Sequence, residues 1–378
     1  MEGPADSRNR SVSMRAQYAS RAPRYVPALT GIRALAALLV LGMHTEQNVP
    51  FGLDSVLPFF ARGYLGVDFF FVLSGFIITH VYLASLASAK LRAVQIFLWH
   101  RFIRLYPVHV TVLVGLAAVV SLASAAGVGF NNPQEWRWGD LIWQLTLLQA
   151  WGVTTTPRWN VPAWSISAEW FAYLLFPLLA PALTWVRDRA IALLVAVAAL
   201  AATAVLFTIA DWTLNTWVGA PALTRVFGEF LCGAALCRAV DLTPARPSGD
   251  VLAAGAFLAF LLGASVGVAD FALVAFLALT IFGAATSKRF VARVLGSRPF
   301  VWLGEISYSV YMVHFPVLII VRRVWEQLGF AHWPAIGKMS AFIVTVALVL
   351  ALAAMLFYVV ERPARTRLRD RMGKFAPA

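Results

Sequence analysis

Charge is what this sequence has least of. Only 13% of its 378 residues are Asp, Glu, Lys or Arg, and 60% are hydrophobic; an average soluble domain carries about 25% charged residues. The deficit is not local, because apolar stretches recur from Leu29 to Val360. A water-soluble fold of this length cannot hide that much apolar surface, so the bilayer has to be the solvent for most of the chain. Acidic residues are scarcer than basic ones, 18 against 31, for a net charge of +13. That excess suggests a nucleic-acid partner, but the basic residues sit in short loops between apolar runs rather than on one soluble face, and this excludes the reading. Cysteine is nearly absent: Cys232 and Cys237 both lie in an apolar segment. They are too few for a disulfide framework or a zinc site and read as small lipid- or core-facing residues. Residues 1–24 lack an apolar h-region, which excludes a cleaved signal peptide; they read as a disordered, basic cytoplasmic tail, with Met14 as an alternative start.

What is present is a series of long apolar runs. A helix needs about 20 residues to cross the hydrocarbon. Runs of that kind place spans near 29–47, 63–84, 105–126, 164–185, 190–210, 219–238, 250–268, 270–286, 303–325 and 339–360. The fold expected is an all-α integral membrane bundle of about ten transmembrane helices with both termini cytoplasmic. Its membrane domain covers residues 25–365, followed by a short basic tail over 366–378. The stretch from Leu141 to Trp151 is apolar but too short to cross, and reads as an interfacial or half-helical piece of the longest external loop. Basic residues mark the cytoplasmic side of membrane proteins. With the N-terminus inside, 23 of the 31 Lys and Arg fall in inside segments and 6 outside, and Arg33 and Arg225 lie within spans. Shifting one span would break that alternation. Fourteen Trp fit the two interfaces.

Ionisable groups inside a bilayer are costly and usually face a polar cavity. Arg33 and His44 share a face of the first span, separated by about 16 Å of rise, with Arg33 near the inner surface and His44 toward the outer half. Asp68, on the second span, falls at about the depth of His44, where a carboxylate can fix an imidazole's tautomer; capping a helix start is the plainer role. Arg101 and Arg104 are three apart and share a face. Such a pair grips phosphates bidentately or merely anchors the inner surface. Glu169 is an intramembrane carboxylate, placed toward the outer side. On the ninth span Tyr308 and Tyr311 share a face, as do Tyr311 and His314.

Together these segments resemble the acyltransferase-3 family of bacterial membrane acyltransferases. The matching features are the Arg33–His44 spacing, the run from Val67 to Phe76 containing Asp68, Arg101-x-x-Arg104 followed by Pro107, the run from Trp164 to Glu169, Tyr308-Ser309-Val310-Tyr311 with His314, and Glu361-Arg362-Pro363. The resemblance covers about residues 25 to 365. It implies a membrane enzyme of the bacterial inner (cytoplasmic) membrane. Such an enzyme acylates, usually acetylates, hydroxyls of envelope carbohydrates such as O-antigen, exopolysaccharide, peptidoglycan or Nod factors. Larger members add an SGNH domain, which is not expected here. The resemblance also marks Arg33, His44, Arg101 and Arg104 as essential.

The mechanism expected uses acyl-CoA, most simply acetyl-CoA, as co-substrate and no metal. Arg101 and Arg104, with Arg33, hold its phosphates at the inner surface. His44 acts as general base on the acceptor hydroxyl or carries the acyl group transiently. Asp68 or Glu169 orients it, and Tyr308, Tyr311, Asn160 or Ser167 supplies an oxyanion donor. The acceptor expected is a cell-surface or lipid-linked carbohydrate, with a macrolide or other small metabolite as alternative. A transporter or flippase is the rival from another class. Membrane lipids are the other partner, and oligomeric state is not legible.

Overall fold

The computed structural model describes residues 26–88, 90–129, 132–243 and 248–372. The tail expected over 1–24 lies outside the described residues, as do 373–378 of the C-terminal one. Among the described residues the chain is all helix and no strand, as a lipid solvent requires when each backbone group must be satisfied within its own segment.

Ten long helices carry the architecture: α1 Pro27–Asn48, α2 Gly66–Leu86, α3 Leu91–Ala125, α4 Trp164–Trp185, α5 Arg189–Ile209, α6 Ala220–Asp241, α7 Asp250–Val266, α8 Asp270–Ala285, α9 Arg298–Gln327 and α10 Ala335–Leu356. They coincide with the ten apolar runs. Among the described residues eight helices are long and apolar enough to cross a membrane, while α7 and α8, with 17 and 16 residues, are shorter. At 1.5 Å per residue those two reach about 25 Å. The largest departure from hydropathy is α3, which starts at Leu91 and runs for 35 residues. Arg101 and Arg104 therefore sit on a continuous helix, not in the loop before it. The apolar stretch from Leu141 to Trp151 has only five helical residues, Leu141–Leu145. After α10 a π-helical turn, Phe357–Glu361, redirects the chain into a final helix, Arg362–Leu368. That helix runs past residue 365, and the Trp99 indole donates to the Leu368 carbonyl (2.9 Å).

Burial sorts the helices. In α1, α6 and α9, 72% of the apolar window is buried, against 22% in α5 and 28% in α10. The first three form the centre, and α5 and α10 present apolar side chains such as Leu194, Val197, Ile343 and Val344 outward, where lipid is the only suitable solvent. Hydrocarbon gives helices no hydrophobic reason to associate, so close approach through small residues does much of the work. Gly75 of α2 meets the Phe230 backbone of α6, and Gly233 of α6 meets the Val72 backbone of α2; a Cβ on either would overlap the facing carbonyl. Gly304 does the same for α9 against Thr30 of α1. The last contact, with His44 beside His314 at the far ends, shows α1 and α9 running parallel. Cys232 and Cys237 are buried and form no disulfide. Cys237 also lies beside His80 and Asp241, with ligand atoms within 4.8 Å of one another.

Candidate functional site

The α1, α2, α3, α4 and α9 helices enclose a chamber of about 110 Å³. Arg33, Arg101 and Arg104 line it together with Glu169, Tyr173, Tyr308 and Tyr311. The three arginines expected to act together are thus brought together, but they are not equivalent. Arg104 is committed: its guanidinium is ion-paired with Glu361 and lies 4.9 Å from the centroid of the Tyr308 ring. The other Glu361 oxygen accepts from the Ser309 hydroxyl (2.7 Å), and Arg365 approaches within 3.5 Å. This is the physical content of the Glu361-Arg362-Pro363 motif. The π turn aims a fully buried carboxylate at α3, so that Arg104 can sit in an apolar bundle at all. Arg101 donates to the Tyr82 hydroxyl (3.0 Å) and lies over the Tyr82 and Tyr173 rings, yet its Nε is buried without a hydrogen-bond partner. Arg33 makes no hydrogen bond or ion pair with a described residue. Two cations with unused donors beside open space suit an incoming anion.

Glu169 belongs to this arginine-lined end. It accepts from Ser74 and Tyr173, each at 2.5 Å. It is the sixth residue of α4, in the half of that helix expected to lie toward the outer side.

At the other end of the chamber Tyr311 leads to a histidine pair. Its ring is 5.6 Å from that of His314, which is 5.0 Å from that of His44. His44 Nδ1 lies 3.0 Å from the Val40 carbonyl, and His314 Nδ1 lies 2.6 Å from the Tyr311 carbonyl. A carbonyl only accepts, so each Nδ1 carries the proton and each Nε2 is left as the basic nitrogen. The Nε2 of His314 is buried with no partner. An α-helical back-bond from His44 to Val40, rather than a carboxylate, fixes the tautomer.

Asp68 is engaged elsewhere. Both of its oxygens accept from Arg225, at 2.7 Å from Nε and 2.5 Å from Nη2, and the pair is wholly buried. Arg225 also donates to the Leu214 carbonyl (2.7 Å) and stacks 5.3 Å from the Trp164 centroid. Glu229 lies 3.8 Å from Arg225, with neither oxygen hydrogen-bonded. Asp68 is therefore a strut between α2 and α6, not the orienter of His44. Sequence reasoning noted Arg225 only as a charge within a span and passed over Glu229, Tyr173 and Ser74; the i,i+4 spacing of Arg225 and Glu229 was the available signal.

Three of the four expected oxyanion donors are already occupied. Tyr308 donates to the Leu105 carbonyl (2.6 Å) and Ser167 to the Leu147 carbonyl (2.7 Å). Tyr311 donates to the Pro162 carbonyl (3.0 Å) and sits 2.8 Å from the Ser165 hydroxyl. Asn160 gives one N–H to the Met312 carbonyl (3.0 Å). An amide has two N–H groups, so Asn160 alone of the four keeps a donor.

The comparisons with known proteins identify the family. The acyltransferase-domain family matches residues 26–358. The acyltransferase MdmB of Streptomyces mycarofaciens is 30% identical over 373 residues, which are 90% of this chain and 92% of that protein. The peptidoglycan O-acetyltransferase OatA of Listeria monocytogenes is 25% identical over 376 residues, 90% of this chain and 56% of that protein. The O-acetyltransferase OatA of Staphylococcus aureus is 23% identical over 395 residues, 94% of this chain and 60% of that protein. The chain thus spans a little over half the length of the latter two. No solved structure matches it. A transporter had rested on the same buried charges, but a match over nearly the whole bundle explains them as an enzyme's: the chain belongs to the acyltransferase-3 family and is a multi-pass membrane O-acyltransferase.

Proposed function

We propose that the protein transfers an acyl group, acetyl in the simplest case, from cytoplasmic acyl-CoA to a hydroxyl of an envelope carbohydrate. One observation carries this reading: a narrow chamber is lined by unspent arginine donors and by Tyr311, and behind the Tyr311 ring packs a histidine pair with basic Nε2 atoms. Coenzyme A has the matching polarity, with phosphates at one end and a thioester at the other. The chamber, at about 110 Å³, is well below the roughly 300 Å³ at which ligand pockets begin. It suits an acyl-pantetheine arm, with the nucleotide left at the rim. Arg33 and Arg101 take the phosphates, and Arg104 with Glu361 is the strut that holds α3 in place.

His44 Nε2 removes the acceptor hydroxyl proton as the oxygen attacks the thioester carbon. The free Asn160 N–H is the donor available to the oxyanion, and the proton returns to the departing thiolate. His314 packs against His44 and holds its ring. Lipid and apolar helices exclude water, which limits hydrolysis of the thioester. The 23-to-6 charge bias supports ten crossings, both termini inside and residence in the bacterial inner membrane. Under this topology the arginines face the cytoplasm and the histidines the outer half.

Purified protein incubated with labelled acetyl-CoA and envelope glycan tests the reading. Label in an alkali-labile ester is the expected result. No transfer from acetyl-CoA, with binding absent as well, rules out the donor.

A further inference from the structure

A second cavity, of about 710 Å³, opens at the end of the bundle where α1 finishes, outside the helices. Two loops build it: the one joining α3 to α4, and the one joining α5 to α6. The geometry points to this cleft as the binding site for the acceptor carbohydrate. The assignment rests on the acyl transfer proposed above and adds where the acceptor docks.

Three observations carry it. The first is lining chemistry. Gln134, Thr155, Thr156 and Asn215 supply neutral donors and acceptors, and Trp217 offers an exposed ring face. Glu135 and Arg158 line the cleft as well. Neutral and charged hydrogen-bonding groups beside one aromatic plane suit a polyhydroxylated ring, whereas a lipid or other apolar acceptor calls for apolar walls. The volume lies within the range of about 300–1,000 Å³ typical of ligand sites.

The second is stored strain. Among the described residues only three other than glycine have positive φ: Leu147, Trp159 and Asp211, at 57°, 58° and 51°. All three are in the two loops that form the cleft. Such conformations cost energy and persist where the surroundings hold them, commonly at functional sites. Here Trp159 is fully buried between Trp136 and Trp138, and its indole donates to the Arg137 carbonyl (3.0 Å). The loops are tied together by Gly219 N–H to the Ala150 carbonyl (2.8 Å).

The third is position. Val161 lines the cleft, while Ser165 and Tyr311 line the chamber. Between them lies Pro162, whose carbonyl receives the Tyr311 and Ser165 hydroxyls, each at 3.0 Å. One layer of residues therefore separates the cleft from the ring that packs on His314. A sugar seated in the cleft has its hydroxyls next to the wall beyond which the thioester arrives.

The test plugs the cleft without touching the chamber. Thr155→Trp adds bulk at an exposed position, and Trp217→Ala removes the aromatic plane. Two measurements are made on each. One is alkali-released acetate from the envelope carbohydrate of a bacterial host expressing the protein. The other is binding of labelled acetyl-CoA to the purified protein in detergent. Both variants are expected to lose envelope ester by about tenfold or more while acetyl-CoA affinity stays within about twofold. Ester at the unaltered protein's level in Thr155→Trp overturns the assignment. So does a parallel loss of acetyl-CoA affinity, which would show that the cleft is not a separate site. If the unaltered protein binds acetyl-CoA but adds no ester to the envelope, the carbohydrate reading itself fails, and this assignment with it.

Discussion

Two clusters of buried charge lie on opposite sides of α2, and they are built on different principles. The Asp68–Arg225 pair is closed: two carboxylate oxygens, both sides of the guanidinium and a backbone carbonyl are paired within 2.7 Å, and only the neighbouring Glu229 oxygens lack a hydrogen bond. In the chamber the bonds are left incomplete: Arg101 has a buried Nε with no acceptor, and Arg33 has no described partner beside open volume. Cost alone does not separate them, since any charge in a bilayer is expensive. What separates them is whether the expense is offset within the protein. A closed cluster holds helices together; an open one awaits a ligand that completes it.

The comparison breaks most directly at the histidines. His44→Ala should lower acyl transfer by about 10²–10⁴-fold, the usual worth of a general base, while the protein still inserts and binds acetyl-CoA. An undiminished rate would remove His44 from the chemistry. The closed cluster should fail in the opposite way. Asp68→Ala leaves Arg225 buried beside Glu229 alone and should cost about 3–5 kcal/mol of stability. This appears as a lower thermal midpoint in detergent, with the catalytic rate per folded molecule preserved. A loss of rate without loss of stability would place Asp68 in the active site after all. Between these, Arg101→Gln should weaken acetyl-CoA binding by about tenfold or more, since a charge-assisted contact is worth about 1.5–3 kcal/mol. Arg104→Gln should instead lower stability, because it strands Glu361. If both substitutions act only on affinity, the division between gripping arginine and strut is wrong.

How much of this was legible in sequence follows the same line. The helices were, because each is a local apolar run, eight of them long enough to match a bilayer; α3 was misjudged only where residues 91–104 mix charge with apolar residues and drop below a membrane-like average. The identity of the unusual residues was legible too, since charge is conspicuous in an apolar chain. Their pairing was not. Asp68 meets Arg225 at a separation of 157 residues, and Arg104 meets Glu361 at 257. Depth along a helix predicted that Asp68 and His44 would be level, but depth carries no information about rotation around the bundle. Glu169 shows the complementary case. Its helix was legible, but not that it would accept hydrogen bonds from Ser74 and Tyr173 in the chamber wall. Asp241 and His80 next to Cys237 escaped for another reason: counting cysteines sees neither a carboxylate one turn along the same helix nor a histidine on a facing one.

The smallest expected effect is the most discriminating about the chemistry. Tyr311 touches both regions of the candidate site: its hydroxyl stands in the wall toward the cleft, and its ring packs on His314. If it supplied the oxyanion donor, Tyr311→Phe would cost about 10²–10³-fold in rate. Its proton, however, is committed to the Pro162 carbonyl at 3.0 Å, and a donor cannot serve a second acceptor without giving up the first. Tyr311→Phe should therefore cost about 1 kcal/mol in stability, one neutral hydrogen bond, with only a few-fold change in turnover. Asn160→Ala should be the costlier change in rate, because its second N–H is uncommitted. Turnover numbers for the two variants side by side decide the matter: a larger loss in Tyr311→Phe means that the Pro162 bond breaks during the reaction and that the wall between cleft and chamber opens as part of the catalytic cycle.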